Sequence, residues 1–262
     1  MLGKEDGMVI GQAPQAAGAE VAVGPGVRIW KVDLRQPAAW LEEAAAVLLE
    51  PDEQERSARE TREASRRRRV ARAALRIALS RWCGCSPDAL TLVRGRHGKP
   101  TLADTEVGPV HFNLSRTGDC CLIAVTAIGP VGVDVERVVA FPELDAIARS
   151  RFDPGESAAI LRLRGGRRLR AFYNCWTRKE AYLKATGVGL TTRLDAVVVT
   201  VDDAPASILS LEDDDPDAWT LAAIRPGPDL IGAVALRGAT KLSGQSLEPT
   251  ELPLEPEPRF RR

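Results

Sequence analysis

Asp134 and Glu136 stand two residues apart in VGVDVERV (131–138), a segment otherwise built mostly of Val and Gly. On a strand both carboxylates project from one face, about 6.6 Å apart along it. Alone, such a pair reads as an exposed strand face with acids alternating with buried Val. Its company is what singles it out. Glu180 lies in RRLRAFYNCWTRKEAYLKATG (167–187), which has helical spacing, with Trp176 four residues before it and Lys184 four after, so the three share one face. Three carboxylates and a lysine suit Mg²⁺ with a phosphorylated ligand, because Mg²⁺ prefers oxygen donors and shares its shell with phosphate and water. Taken alone, Glu180 and Lys184 read equally well as an i,i+4 ion pair on a helix.

These residues need a frame. The chain of 262 residues, 44% hydrophobic and 27% charged, has the balance of a globular enzyme or binding protein, one large domain or two small ones. VRIWKVDL (27–34) alternates like a half-buried strand, and AAWLEEAAAVLLE (38–50) is helical up to Pro51. Residues 53–81 hold no Gly or Pro, and Val70, Ala73, Ala74, Ile77 and Ala78 make one apolar helix face. HFNLS (111–115), CLIAVTAI (121–128) and VGVDVERV are strand candidates, the last two expected to form a hairpin through Gly129-Pro130. LDAIARSRF (144–152) and 167–187 are helical, and DAVVVTV (195–201), AWTLAAI (218–224) and DLIGAVAL (229–236) read as a second set of strands. The expected fold is α+β: two similar subdomains, 26–140 and 141–238, packed face to face, with the 1–25 and 239–262 segments poorly ordered.

Composition excludes several classes. Five cysteines without a C-x-x-C pair, and only two histidines, favour neither a disulfide framework nor a zinc site. No stretch offers the apolar length of a membrane span, and no basic, apolar leader opens the chain, so cytoplasmic localisation is expected. Lys+Arg and Asp+Glu are both 36, which removes the global argument for a nucleic-acid binder. Residues 55–81 do carry ten Arg against three Glu, but few aromatics accompany them for base stacking.

GVDVE (132–136) and WTRKEAYLKATGVGL (176–190) resemble the paired signatures of the 4′-phosphopantetheinyl transferases, specifically the larger pseudodimeric class that serves natural-product synthases. FNLSRTGD (112–119) is similar to the family's segment before the first acidic pair, GKPTL (98–102) to its adenine loop, and FDPGE (152–156) to the segment linking the signatures. Any one motif is weak; five in order, across about 60–200, are a strong signal.

The resemblance implies a pseudo-twofold tandem of two α+β halves, with coenzyme A and Mg²⁺ (Mn²⁺ substituting) in the cleft between them. It implies attack by a serine hydroxyl of an apo acyl or peptidyl carrier protein on the β-phosphate of coenzyme A, releasing 3′,5′-ADP. Asp134, Glu136 and Glu180 would hold the metal, Lys184 would neutralise phosphate charge, and Glu156 or Glu180 would take the serine proton. Gly98, Lys99, Pro100, Ser115, Arg116 and Lys184 would line the coenzyme A site. Of Arg66 to Arg69, which point in four directions on a helix, Arg67 and Arg68 fall in the register for its phosphates.

One departure stands out: Arg116 occupies a position where many family members have His, keeping a cation but losing titration near neutral pH. His97, His111 and Trp176 read as surface or packing residues. The expected partners are carrier proteins and coenzyme A, without nucleic acid or membrane, and a monomer is the simplest assembly. Residues 149–184 hold ten cations against three acids, with Leu161, Leu163, Leu169 and Phe172 interspersed, a face that would suit an acidic carrier protein. The competing readings are a non-catalytic binder of coenzyme A or carrier protein with the same fold and, less favoured, a nucleic-acid binder built on the arginine helix.

Overall fold

A computed structural model describes residues 26–49, 61–95, 98–103, 107–188, 193–238 and 247–252. The expected disorder of 1–25, the start of the long helix before Thr61, and Arg96 and His97 lie outside the described residues.

Alternation decides the first sheet. Strands β1 (Val27–Asp33), β4 (His111–Thr117) and β5 (Cys120–Thr126) form antiparallel ladders with β5 in the middle, Trp30 opposite Ile123 and Leu114 opposite Ile123 on its other edge. Every residue of β5 is buried because both faces are covered. Cys121, Ile123 and Val125 pack on helix α2 (Arg62–Cys83), while Cys120, Leu122 and Ala124 meet the second sheet. Helix α2 is capped by the Thr61 hydroxyl, which accepts from Ala64 N, and ended by Gly84 at φ 69°. Helix α1 (Ala39–Val47) lies beside it, and β2 (Leu92–Arg94) and β3 (Pro100–Leu102) make a small hairpin after it.

The second sheet has the order β6 (Val131–Arg137), β10 (Leu230–Arg237), β9 (Trp219–Ile224). The expected hairpin between β5 and β6 does not form. β5 pairs with β4 through the Gly118-Asp119 turn, and β6 crosses into the other sheet to pair with β10. A Gly-Pro turn marks a change of direction but not a partner: β6 gives its backbone edge to β10 and packs its valines on the face of the first sheet. Helices α3 (Leu144–Arg151), α4 (Pro154–Arg162) and α5 (Gly165–Thr186) follow, then the hairpin β7 (Val197–Val199) and β8 (Ile208–Leu211). Val131, Val133 and Val135 face the first sheet, so the intervening residues of β6 face α5. The layers run α2, sheet, sheet, α5.

The element order repeats, once from β1 and once from β6: a strand, helices ending in one of 22 residues, a small hairpin, then two strands, so that the second run starts at Val131, ahead of the boundary expected between 140 and 141. In each sheet the first strand pairs with the last, which pairs with the middle one. Residues 247–252 depart from the tail expected over 239–262. Leu247 bridges to Ile224 of β9, Thr250 and Glu251 (β11) pair in parallel with β1, and Leu252 is buried in the apolar cluster that α1 and α2 share with the first sheet. This segment ties together the outer edges of both sheets.

Candidate active site

Where the two sheets pack together, β4 lies against β6 without a backbone ladder, and side chains at every second position of β4 close the seam. Asn113 Oδ1 accepts from Val133 N (3.0 Å), the Ser115 hydroxyl donates to Asp134 Oδ1 (2.8 Å), and the Thr117 hydroxyl donates to Glu136 Oε2 (3.1 Å). The three share one face of β4 by its two-residue period, and their partners, one backbone N–H and two carboxylates, follow in order along β6. Asn113 and Thr117 were not picked out in the sequence; the i, i+2, i+4 row of polar side chains through Ser115 was the signal for them.

Helix α5 supplies the rest. Lys184 Nζ lies 2.5 Å from Asp134 Oδ1 and donates to Ser115 Oγ (2.9 Å). Asp134 is 2% exposed, and its second oxygen, Oδ2, is buried without a hydrogen-bond partner among the described residues. Burial raises the Glu136 carboxyl above its ordinary range, with the Asp134 charge adding to it; burial and then Asp134 do the same to Glu180. The structure thus brings Asp134, Glu136, Glu180, Lys184 and Ser115 into one electrostatic neighbourhood.

Among the described residues no three His, Cys, Asp or Glu side chains close to metal-ligating separation. The donor chemistry nevertheless suits a hard divalent cation. All three groups offer carboxylate oxygen, one buried oxygen lacks a partner, and two of the acids are held toward their protonated form by burial and mutual repulsion.

Close backbone packing fixes α5 against β6. A Cβ on Gly132 would stand 2.0 Å from Ala181 O and 2.4 Å from Ala185 N, so only glycine admits the last turn of the helix here. Lys99, from the turn between β2 and β3, donates to Lys184 O (2.6 Å), Ala185 O (3.0 Å) and Val131 O (3.0 Å). Burial pushes its ammonium down to about 8, and the three carbonyls oppose that shift by stabilising the charge. In this structure its side chain serves the helix end. Gly98 beside it takes a φ of 79°, and Pro100 opposes Arg94 in the hairpin.

Glu156 departs from its expected role. Its Oε1 accepts from Val199 N (2.7 Å), its Oε2 accepts from Asp153 N (3.0 Å) and pairs with the wholly buried Lys179 Nζ (2.6 Å). It completes a capping box at the start of α4. Lys179 is about 140° around α5 from Lys184 at 3.6 residues per turn, so Glu156 is held on another face of the helix. A carboxylate with both oxygens engaged in the core is a structural anchor, and the spacing FDPGE could not reveal that neighbour.

The cations divide between the two faces of the first sheet. Arg116 alternates away from Ser115 toward α2, where its charge and that of Arg72 oppose the burial that raises the Cys121 thiol. Arg72 lies one turn beyond Arg68 on α2 and was passed over in the sequence, although the i,i+4 spacing marked it. Arg67 pairs with Glu63 and, at 2.6 Å, with Asp119 of the turn after β4. Arg66 is spent on Glu42 and the carbonyls of Leu34 and Arg35.

The fold is mixed α/β, with three acids and a lysine gathered where a strand meets a long helix, a donor set whose chemistry suits an anionic phosphorylated ligand. The profile of the 4′-phosphopantetheinyl transferase superfamily matches residues 130–235, the span from β6 to β10. The chain is 32% identical over 215 residues to the 4′-phosphopantetheinyl transferase HetI of Nostoc sp., covering 81% of this chain and 88% of that protein. It is 35% identical over 178 residues to a putative 4′-phosphopantetheinyl transferase, slr0495, of Synechocystis sp., covering 67% and 72%. With AcpT of Salmonella typhi it shares 34% identity over 161 residues, 62% of this chain and 79% of that one. The chain belongs to the 4′-phosphopantetheinyl transferase superfamily and is an enzyme of the transferase class. Among the described residues no helix is long and apolar enough to cross a membrane.

Proposed function

We propose that the protein transfers the 4′-phosphopantetheine arm of coenzyme A to a serine of apo acyl or peptidyl carrier proteins, releasing 3′,5′-ADP. The observation that carries the reading is the buried Asp134, with one oxygen held by Lys184 and Ser115 and the other without a partner, beside two further acids. Asp134, Glu136 and Glu180 would hold Mg²⁺, with Mn²⁺ able to replace it. The ion, when bound, neutralises pyrophosphate charge and orients the group for in-line displacement.

The chain's own groups do the rest. Lys184 neutralises charge that builds on the phosphate oxygens as the serine oxygen bonds to the β-phosphorus. The bond from that phosphorus to the 3′,5′-ADP oxygen breaks, and the electron pair leaves with the nucleotide. Glu180 accepts the serine proton, since both oxygens of Glu156 are engaged elsewhere. Ser115 holds Lys184 and Asp134 in register, and the backbone of Gly98 to Pro100 would meet the base. Arg116, Arg68, Arg72 and Arg67 are the cations for the 3′-phosphate. The repeated element order supports a pseudo-twofold tandem of two halves; a monomer in the cytoplasm, without nucleic acid, is proposed with it. The exposed cations Arg149, Arg151, Arg162, Arg164, Arg167 and Arg170 are proposed as the carrier-protein face, whereas Phe172, Arg178 and Lys179 of the same stretch are buried and take no part in it.

The test is incubation with coenzyme A, Mg²⁺ and a panel of apo carrier proteins, read by intact mass. Gain of one phosphopantetheine arm is expected. Coenzyme A binding without transfer to any carrier would favour the non-catalytic binder instead.

A further inference from the structure

We propose that Lys99 is a positioning residue that clamps the last turn of α5 so that Lys184 stands on Asp134 and Ser115. An ammonium has three N–H donors, and all three of Lys99's are used, by the carbonyls of Lys184, Ala185 and Val131. None remains for a ligand phosphate while the clamp is closed. The two helix carbonyls belong to the terminal turn, where no following residue of the helix can serve them, and a cation there also complements the negative end of the helix dipole. The Lys99 stem runs over Gly187, where a Cβ would stand 3.3 Å from its Cδ; Gly187 takes a φ of 72° to end the helix. On the far side Gly132 lets β6 touch the same turn. The backbone of Lys184 is thereby gripped between β6 and the turn after β2, while its side chain reaches Asp134 Oδ1. One ammonium joins the β2–β3 turn, the first residue of β6 and the end of α5, segments separated by 32 to 86 residues of sequence.

The inference rests on the transferase reading for its kinetic arm, and its spectroscopic arm stands without it. Lys99→Met, which keeps the stem and removes the donors, is expected to lower kcat about tenfold or more while changing KM for coenzyme A less than about threefold. In a Lys184→Met background the same change should cost less than about twofold, since Lys99 acts through Lys184. In the NMR spectrum of the protein alone, Lys99→Met should move the Lys184 ε-methylene signal and speed amide exchange at Ala185, Thr186 and Gly187. Lys99→Gln, which retains amide donors, should fall between parent and Met variant in each readout, and it serves in place of the Met variant if that fails to fold. A raised KM for coenzyme A with kcat held, an equal kcat loss in both backgrounds, or an unmoved Lys184 signal would each overturn the clamp. Absence of transfer by the parent enzyme would sink the transferase reading, and the NMR result would then judge the clamp by itself.

Discussion

Lys184 and Asp134, 50 residues apart in sequence, meet at 2.5 Å between Nζ and Oδ1, the carboxylate almost wholly buried and the ammonium about one third exposed. The asymmetry matters. Lys184 can turn toward water or a ligand phosphate, whereas Asp134 cannot leave the seam. Asp134→Asn is therefore expected to lower turnover about a hundredfold to a thousandfold, with only a small change in melting temperature in chelator, because the orphaned ammonium can reach solvent. Added Mg²⁺ should raise the melting temperature of the parent and leave that of Asp134→Asn unmoved, by binding linkage. Calorimetric scans of both proteins with and without the ion check this; an equal rise in both would remove Asp134 from the metal set.

Glu156→Gln probes a buried charge. Lys179 is fully buried and Glu156 is its ion-pair partner, so neutralising the acid should cost about 3–5 kcal/mol of stability. Turnover per folded molecule should hold. Urea melts and kcat normalised to the folded fraction measure the two effects separately, and lost turnover at parental stability would return Glu156 to proton transfer.

Gly132→Ala tests the close approach of strand and helix. Its Cβ would overlap Ala181 O, which is backbone and cannot rotate away, so α5 would have to move. Destabilisation of about 3 kcal/mol or more is expected, at the upper end for overpacking, with activity falling as Lys184 shifts. A parental denaturation midpoint would show that the helix can yield without loss.

His111 gives a pH dependence of known sign. Burial, aided by the Lys99 charge, holds its pKa below the ordinary 6.5. The unfolded chain then takes up the proton first as pH falls. Stability present above about 6.5 is lost as pH drops through the folded value. His111→Gln should flatten that slope, read from urea midpoints at a series of pH values. In Lys99→Met the His111 pKa should rise, which the C2–H shift of one of only two histidines reports.

The local chemistry was legible in the residues alone. The two-residue spacing of Asp134 and Glu136 in a Val-rich strand, and the four-residue spacing of Glu180 and Lys184 in a stretch ended by Gly187, fix which side chains share a face, since backbone geometry alone sets those periods. Strand, helix and strands in each half were legible for the same reason. The partners came from packing between distant segments. β6 leaves β5 for β10, residues 247–252 return to the edge of β1, Glu156 is claimed by Lys179, and the Lys99 ammonium is taken by the end of α5. Each of these contacts is a competition among distant groups for one buried charge, one orphaned carbonyl or one unpaired strand edge, and it is settled by packing over the whole molecule, which no local period encodes.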